Sequence, residues 1–398
     1  MMSAIGKWLA IIGAVAAIGV FVVWATSPDP AYNPASFEDE PLTIRIAPLD
    51  EAITLAQFND RDDRVRTMVV IRSESESITG IDLEELGAAP TNDPFTALSD
   101  ADLSSVRAGQ LDGLLQTTVA ITELLPSGAS GEQHIGTGTN FPEHAEEAKS
   151  TSVFQFPKFG AASPARTTVR ANPAILLDYE VELCVRFDRD LRSPADFDAA
   201  VKGFFLCGDF TNRNALINLA DPDNLDSGHG FSDAKSGPDF FPTGPFLVIP
   251  NDWKPFISNV RMTTSVNGAP RQDARGSEMT LDFRALVEMA LGDMKEPRFF
   301  FGDSYVKLMP DAAIPTYSTL MSGTSEGTIF TPPSRGDIIE AMVAYLSQGG
   351  PLAAEQFLEV ARQTFIANEL ASKHYLQPGD TVKHGSSYLG DIIVRVVD

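Results

Sequence analysis

The residues best suited to chemistry in this sequence are three acids, Glu180, Glu182 and Asp209. In the stretch from Asp178 to Phe187 polar and apolar residues alternate strictly. Asp178, Glu180, Glu182 and Arg186 therefore share one face of a strand, with Tyr179, Val181, Leu183, Val185 and Phe187 on the other. Two carboxylates two residues apart on a strand point the same way and can both reach one hard cation, such as Mg2+ or Ca2+. The plain alternative is a half-buried strand with a solvated polar face. The run Gly203-Phe-Phe-Leu-Cys-Gly-Asp209 weighs against it, since an acid ending so apolar a segment is costly unless paired or metal-bound. Capping of the following turn is the competing role for Asp209. A third group is His144 with Glu147. Pro142 suits the first turn of a helix, which makes the two i,i+3 neighbours, and a His oriented by a carboxylate can act as general base toward water.

The elements that must position these groups are β-rich. Twenty-seven prolines, 30 glycines and 25 phenylalanines among 398 residues point to a turn-rich fold with much sheet. An apolar fraction of 43% and a charged fraction of 21% are those of a globular chain. The clearest strands are 178–187, 203–207, 246–249 and 263–266, and 42–125 holds shorter alternating runs. Helical spacing appears over 338–372, divided by Gly349-Gly350-Pro351. A formal net charge of −24 with no basic stripe argues against nucleic acid as partner. Cys184 and Cys207 sit in apolar runs and read as two small buried hydrophobes; the sequence alone does not say whether they pair.

Taken in order, the motifs resemble the fumarylacetoacetate hydrolase family. They are Gly136…Asn140…His144…Glu147, then Asp178–Leu183, Asp209…Arg213, Ala234-Lys235-Ser236, Gly244-Pro245-Phe246 and Val266-Asn267-Gly268…Arg271-Gln272. Ser322-Gly323-Thr324 stands where the family has a Thr-Gly-Thr turn, and Leu376…Gly379-Asp380 with Leu389-Gly390 is similar to its closing strands. The resemblance covers about 130–334 and 374–398, and 43–125 more loosely. It implies an α+β, mainly β fold, a mixed β-sandwich roll with a small N-terminal β-rich domain (42–125) and a catalytic domain (126–398) carrying a helical insert at about 335–372. It further implies Mg2+ or Mn2+ (or Ca2+) held by Glu180, Glu182 and Asp209, with Lys235 and Arg213 offsetting charge on a bound 2-oxo acid. His144 and Glu147 would activate water, while Gln272, Thr324 and Ser322 would contact the substrate, and a homodimer is expected. The implied activity is metal-dependent hydrolysis of a C–C bond in an acylpyruvate-like or β-dicarbonyl acid, with decarboxylation, isomerisation or dehydration as alternatives on the same fold. A catalytically silent, membrane-tethered oxo-acid-binding protein is a further alternative. Two departures stand out: Asn214 and Leu216 replace the family's usual Asp and Gln.

Gly323-Thr-Ser325-Glu-Gly327 matches the G-x-S-x-G nucleophile elbow of serine hydrolases. Thr328-Ile-Phe-Thr-Pro332-Pro333 cannot supply the helix that this motif needs next. His134, His229, His374 and His384 take structural or solvated roles by default. Residues 8–25 carry no charge after Lys7 and have Trp8 and Trp24 near their ends. A helix of that length spans about 27 Å, so a transmembrane anchor is expected over residues 1–26, followed by a linker at 27–41, with the catalytic domain outside the cytoplasm on the periplasmic face. A cleaved signal and secretion to the periplasm is the alternative.

Overall fold

The computed structural model describes residues 4–398 apart from 173, 222, 223 and 353; the side chains of 4–7 and 9–11, Lys7 among them, also lie outside the described residues. The fold is mixed α/β with more sheet than helix, in keeping with the β-rich expectation. A ten-stranded sheet runs in the order Gln116–Ala120, Ser77–Asp82, Val65–Ser73, Ala52–Asn59, Leu247–Pro250, Lys202–Gly208, Val181–Phe187, Leu320–Thr324, Gln133–Gly138 and Phe154–Phe159. The N-terminal strands thus extend the sheet that carries the acids, through the antiparallel pairing of Ala52–Asn59 with Leu247–Pro250. A five-stranded sheet holds Ala269–Arg275, Arg261–Val266, Thr381–Ser386, Gly390–Val397 and Arg166–Arg170.

Alternation sorts the central strands between two apolar clusters. Val181, Leu183, Val185, Phe204 and Leu206 enter the larger one, while Cys184, Phe205 and Cys207 enter the smaller. Glu182 shares the face of Cys184, and Asp209 that of Cys207, because strand side chains repeat every second residue. In the antiparallel register Glu182 lies opposite Cys207 and Cys184 opposite Phe205. Past the strand end, the Asp209 N–H donates to the Glu180 carbonyl at 2.9 Å. The register therefore brings the three acids together from two strands.

Cys184 and Cys207, read from the sequence as buried hydrophobes, are buried and also form a disulfide, with Cα atoms 6.0 Å apart. The pairing depends on a cross-strand diagonal that composition cannot reveal.

The expected membrane anchor is corrected. A helix does form at Ala4–Ala25, but among the described residues no helix is long and apolar enough to cross a membrane. The end of this helix is engaged by the protein itself: Trp24 Nε1 donates to Glu340 Oε1 at 2.6 Å, and the Ser27 hydroxyl donates to that of Ser334 at 3.1 Å. The single-pass membrane localisation expected from residues 8–25 falls with it.

The disulfide closes a loop between positions 23 residues apart, beside the acid-bearing ends of two core strands. Replacing both cysteines with alanine should lower unfolding free energy by about 3 kcal/mol, measured by urea denaturation.

Candidate metal centre and cavity

Carboxylate oxygens of Glu180, Glu182 and Asp209 lie within 4.8 Å of one another, and all three residues are buried. The polar face of the 178–187 segment is thus interior, not solvated. Each acid is fixed from a different direction. Gly323 adopts φ +82°, and its N–H donates to Glu182 Oε2 at 2.8 Å. A side chain there would be strained and would crowd the Thr137 carbonyl at 3.1 Å, so glycine suits this approach. Glu180 accepts from Arg213 at 2.8 Å and from Lys235 Nζ at 2.7 Å. Asp209 accepts from Lys158 Nζ at 2.6 Å, and its second oxygen lies 2.8 Å from Lys235 Nζ without the alignment of a hydrogen bond.

Arg213 and Lys235 are carried by short helices whose starts are locally determined. The Asn212 side chain accepts from the N–H groups of Asn214 and Ala215 to begin Arg213–Leu219. Gly230, at φ 83°, precedes Phe231–Lys235. Asp178 stands behind Arg213, accepting from its Nε at 2.9 Å and from the backbone N–H groups of Ile329 and Phe330. Asn214, one of the two departures, braces the adjacent loop: its Oδ1 accepts from the Leu176 N–H at 2.7 Å and its Nδ2 donates to the Ala174 carbonyl.

The electrostatics divide the acids. Burial pushes Glu180 up, but Lys235 and Arg213 outweigh it and hold its carboxyl at about 2. Burial, then the nearby Asp209 and Glu180, push Glu182 well above the usual carboxylate range. Burial disfavours charge on Lys235 too, yet Asp209 and Glu180 raise it above its ordinary value. For Lys158 burial dominates and lowers it despite Asp209. Asp178, Glu180, Glu182 and Asp209 thus lie among Lys158, Arg213 and Lys235, four acids to three bases, a set that balances while Glu182 keeps its proton. Glu182 Oε1 is buried with no hydrogen-bond partner among the described residues. A compact set of oxygen donors with an orphaned carboxylate oxygen fits a hard divalent cation.

Above the triad lies a cavity of about 350 Å3, whose lining includes Glu180, Arg213, Lys235, His144, Glu147 and Thr324. His144 Nδ1 lies 2.9 Å from Glu147 Oε2, while Glu147 Oε1 accepts from the Gly327 N–H at 2.8 Å. The carboxylate can only accept, so Nδ1 carries a proton, and in the neutral ring Nε2 is the acceptor. Two expected substrate contacts lie elsewhere. Gln272 is buried and spends its amide on Thr324 Oγ1, the Ser325 carbonyl, the Val181 N–H and Thr264 Oγ1. The Ser322 hydroxyl accepts from the Leu183 N–H and donates to the Gly323 carbonyl, outside the cavity lining. Both brace the strands behind the acids. A larger, more open groove of about 800 Å3, walled by Glu38, Arg261, Arg275 and Tyr388, includes none of the triad.

Ser325 follows the strand Leu320–Thr324, but no helix starts before Arg335, so the nucleophile-elbow geometry is absent. His134 and His384 are buried and structural, lowered by burial to about 4 and about 3. Lys158 is the residue the sequence analysis missed. Its signal was the one that exposed Asp209, a single charge inside an apolar run, Phe154-Gln-Phe-Pro-Lys-Phe159.

A β-rich fold with a buried carboxylate triad beneath a cavity defines a candidate metal enzyme, and comparison with known proteins gives its family. Residues 133–397 match the family described as fumarylacetoacetate (FAA) hydrolase C-terminal, and the chain belongs to that family. It is 25% identical over 158 residues to the homoprotocatechuate catabolism bifunctional isomerase/decarboxylase of Escherichia coli, a match covering 38% of this chain and 35% of that protein. A second E. coli protein, the 4-hydroxyphenylacetate degradation bifunctional isomerase/decarboxylase, matches at 25% over 34% of its length. The chain therefore spans about a third of the curated relatives it matches. Among solved structures, a 2-hydroxyhepta-2,4-diene-1,7-dioate isomerase from Mycobacterium marinum is similar, with TM-score 0.52 and 15% identity over 87% of this chain and 98% of that one. A fumarylacetoacetate hydrolase from Exiguobacterium antarcticum gives TM-score 0.52 at 17% identity over 87% of this chain and 99% of that one. These two structures establish likeness of fold.

Because Glu182 is held toward its protonated form and a cation takes the carboxylate, Mg2+ binding should release a proton. Calorimetric titrations of Mg2+ in buffers of differing ionisation enthalpy should show that release, with affinity rising as pH increases and the shift lost in Glu182→Gln.

Proposed function

We propose that this chain is a divalent-metal-dependent hydrolase that cleaves a C–C bond in an acylpyruvate-like or other β-dicarbonyl acid. The observation that carries the reading is the oriented His144–Glu147 pair lining the same cavity as Glu180 of the triad. Glu180, Glu182 and Asp209 would hold Mg2+ or Mn2+, which when bound supplies Lewis acidity toward the 2-oxo acid end of the substrate.

The chain's own groups account for the remaining steps. Arg213 and Lys235 bring positive charge to the cavity wall where the substrate carboxylate and the charge developing on its oxo group would lie. His144 Nε2 accepts a proton from water as the water oxygen bonds to the distal carbonyl carbon. The bond from that carbon to the central methylene then breaks, and its electron pair passes to the methylene, where the adjacent oxo group delocalises it. The proton that His144 took from water passes to that carbon to give pyruvate, and the distal part, keeping the water's oxygen and second hydrogen, leaves as a carboxylic acid. Glu147 holds the imidazole in the required tautomer and, through Gly327, ties its short helix to the loop after Thr324.

A second reading is decarboxylation or isomerisation of an oxo acid. It is favoured by the names of the two E. coli relatives, both bifunctional isomerase/decarboxylases. Loss of CO2 needs no attacking water, so it makes less use of His144.

A panel of 2,4-dioxo acids and oxo diacids, assayed for pyruvate and CO2 with Mg2+ present, should give chelator-sensitive pyruvate release. His144→Ala should lower kcat by about 10²- to 10⁴-fold while Mg2+ affinity is retained. Chelator-sensitive CO2 release without pyruvate from any dioxo acid would instead favour the decarboxylase.

A further inference from the structure

The cavity changes character away from the triad. Its inner end has the charged groups described above, but much of its remaining wall is apolar, with Leu216, Phe231, Phe330, Leu358 and Phe365 as its main side chains. Leu216 stands where the family resemblance expects a glutamine. Phe330 is set by two features of the centre itself, the bond from its N–H to Asp178 and the Arg213 guanidinium 5.3 Å from its ring centroid. Phe330 in turn meets Phe365 edge-on, with ring centroids 6.5 Å apart. Leu358, Arg362 and Phe365 all belong to the helix Phe357–Ser372 and recur at i, i+4 and i+7, so one face of the insert faces the cavity.

From this geometry, and resting on the oxo-acid reading of the triad, we propose that the substrate's distal group is an apolar acyl chain of several carbons, and that the insert helix Phe357–Ser372 is the wall that selects it. A polar distal group held among these side chains would lose its hydration and find few partners, at a cost in binding. A methylene there is removed from water, and each one adds affinity. The volume of about 350 Å3 is within the range of small-molecule sites, large enough for a head group and a tail. Arg362 is the cation that the insert brings to this wall, half-buried between Leu358 and Phe365 along the helix, and Lys149 also lines the cavity. Either cation would serve a distal carboxylate, so dioic acids are the competing arm of the test.

The full chain with Mg2+ is titrated calorimetrically with saturated straight-chain 2-oxo acids, from pyruvate to 2-oxodecanoate. These lack the second carbonyl, so binding is read without turnover. Kd should fall about fourfold for each added methylene until the cavity is filled. Leu358→Asp, at a half-exposed position and checked for folding by thermal melting, should flatten that slope. Phe365→Ala, checked for folding by thermal melting, should weaken the longer acids more than pyruvate. Pyruvate bound with no gain along the series overturns the inference alone, as do an unchanged slope in Leu358→Asp and tighter binding of 2-oxo dioic acids of equal length. Failure of every 2-oxo acid to bind, pyruvate included, overturns the oxo-acid reading and this inference with it.

Discussion

Lys235 Nζ lies 2.7 Å from Glu180 and 2.8 Å from Asp209, and Lys158 Nζ lies 2.6 Å from Asp209's other oxygen. The rest of the centre depends on this compensation. Desolvating several carboxylates together is expensive, and the mutual attraction of buried charges offsets that cost only where geometry and hydrogen bonding are good. The fold meets the condition by placing Lys158, Arg213 and Lys235 on three separate elements around one strand pair. The compensation is complete only while Glu182 keeps its proton, and among the described residues its Oε1 has no hydrogen-bond partner. A cluster arranged in this way favours a cation, and the same bases would then face the anionic end of a ligand.

The scaffold behind the acids is as constrained as the acids themselves. Gln272 ties Val181, Thr264, Thr324 and Ser325 together, and Gly323 turns its N–H onto Glu182. The disulfide occupies the next step on the same face, with Cys184 two residues beyond Glu182 and Cys207 two before Asp209. The carboxylate oxygens that lie within 4.8 Å of one another thus rest on a covalently joined strand pair. The 325–334 loop belongs to the same scaffold, since the Gly327 N–H holds Glu147 and the N–H groups of Ile329 and Phe330 hold Asp178.

Much of this was legible in the sequence, and the reason differs from residue to residue. Strict alternation placed Glu180 and Glu182 on one face, and the apolar approach to Asp209 marked it as buried. Whether that face met water or protein was not legible, because it depends on the strand partners that Leu320–Thr324 and Lys202–Gly208 supply from far along the chain. The same long-range register hid the Cys184–Cys207 bond and the role of Lys158. Gln272 and Ser322 were expected to touch substrate by family resemblance; their side chains hydrogen-bond to the strands and the loop behind the acids and lie outside the cavity lining. Residues 8–25 showed the limit of composition most plainly: an uncharged run suggested a membrane span, whereas the end of that helix hydrogen-bonds to Glu340 of the protein.

The central claim is that Glu180, Glu182 and Asp209 share one divalent cation. The most direct measurement is anomalous diffraction from crystals soaked in Mn2+. The account predicts a single strong peak bounded by oxygens of these three side chains, at about 2.0–2.6 Å from each. No peak at that position under saturating Mn2+, with Lys235 still bridging Glu180 and Asp209, would contradict it.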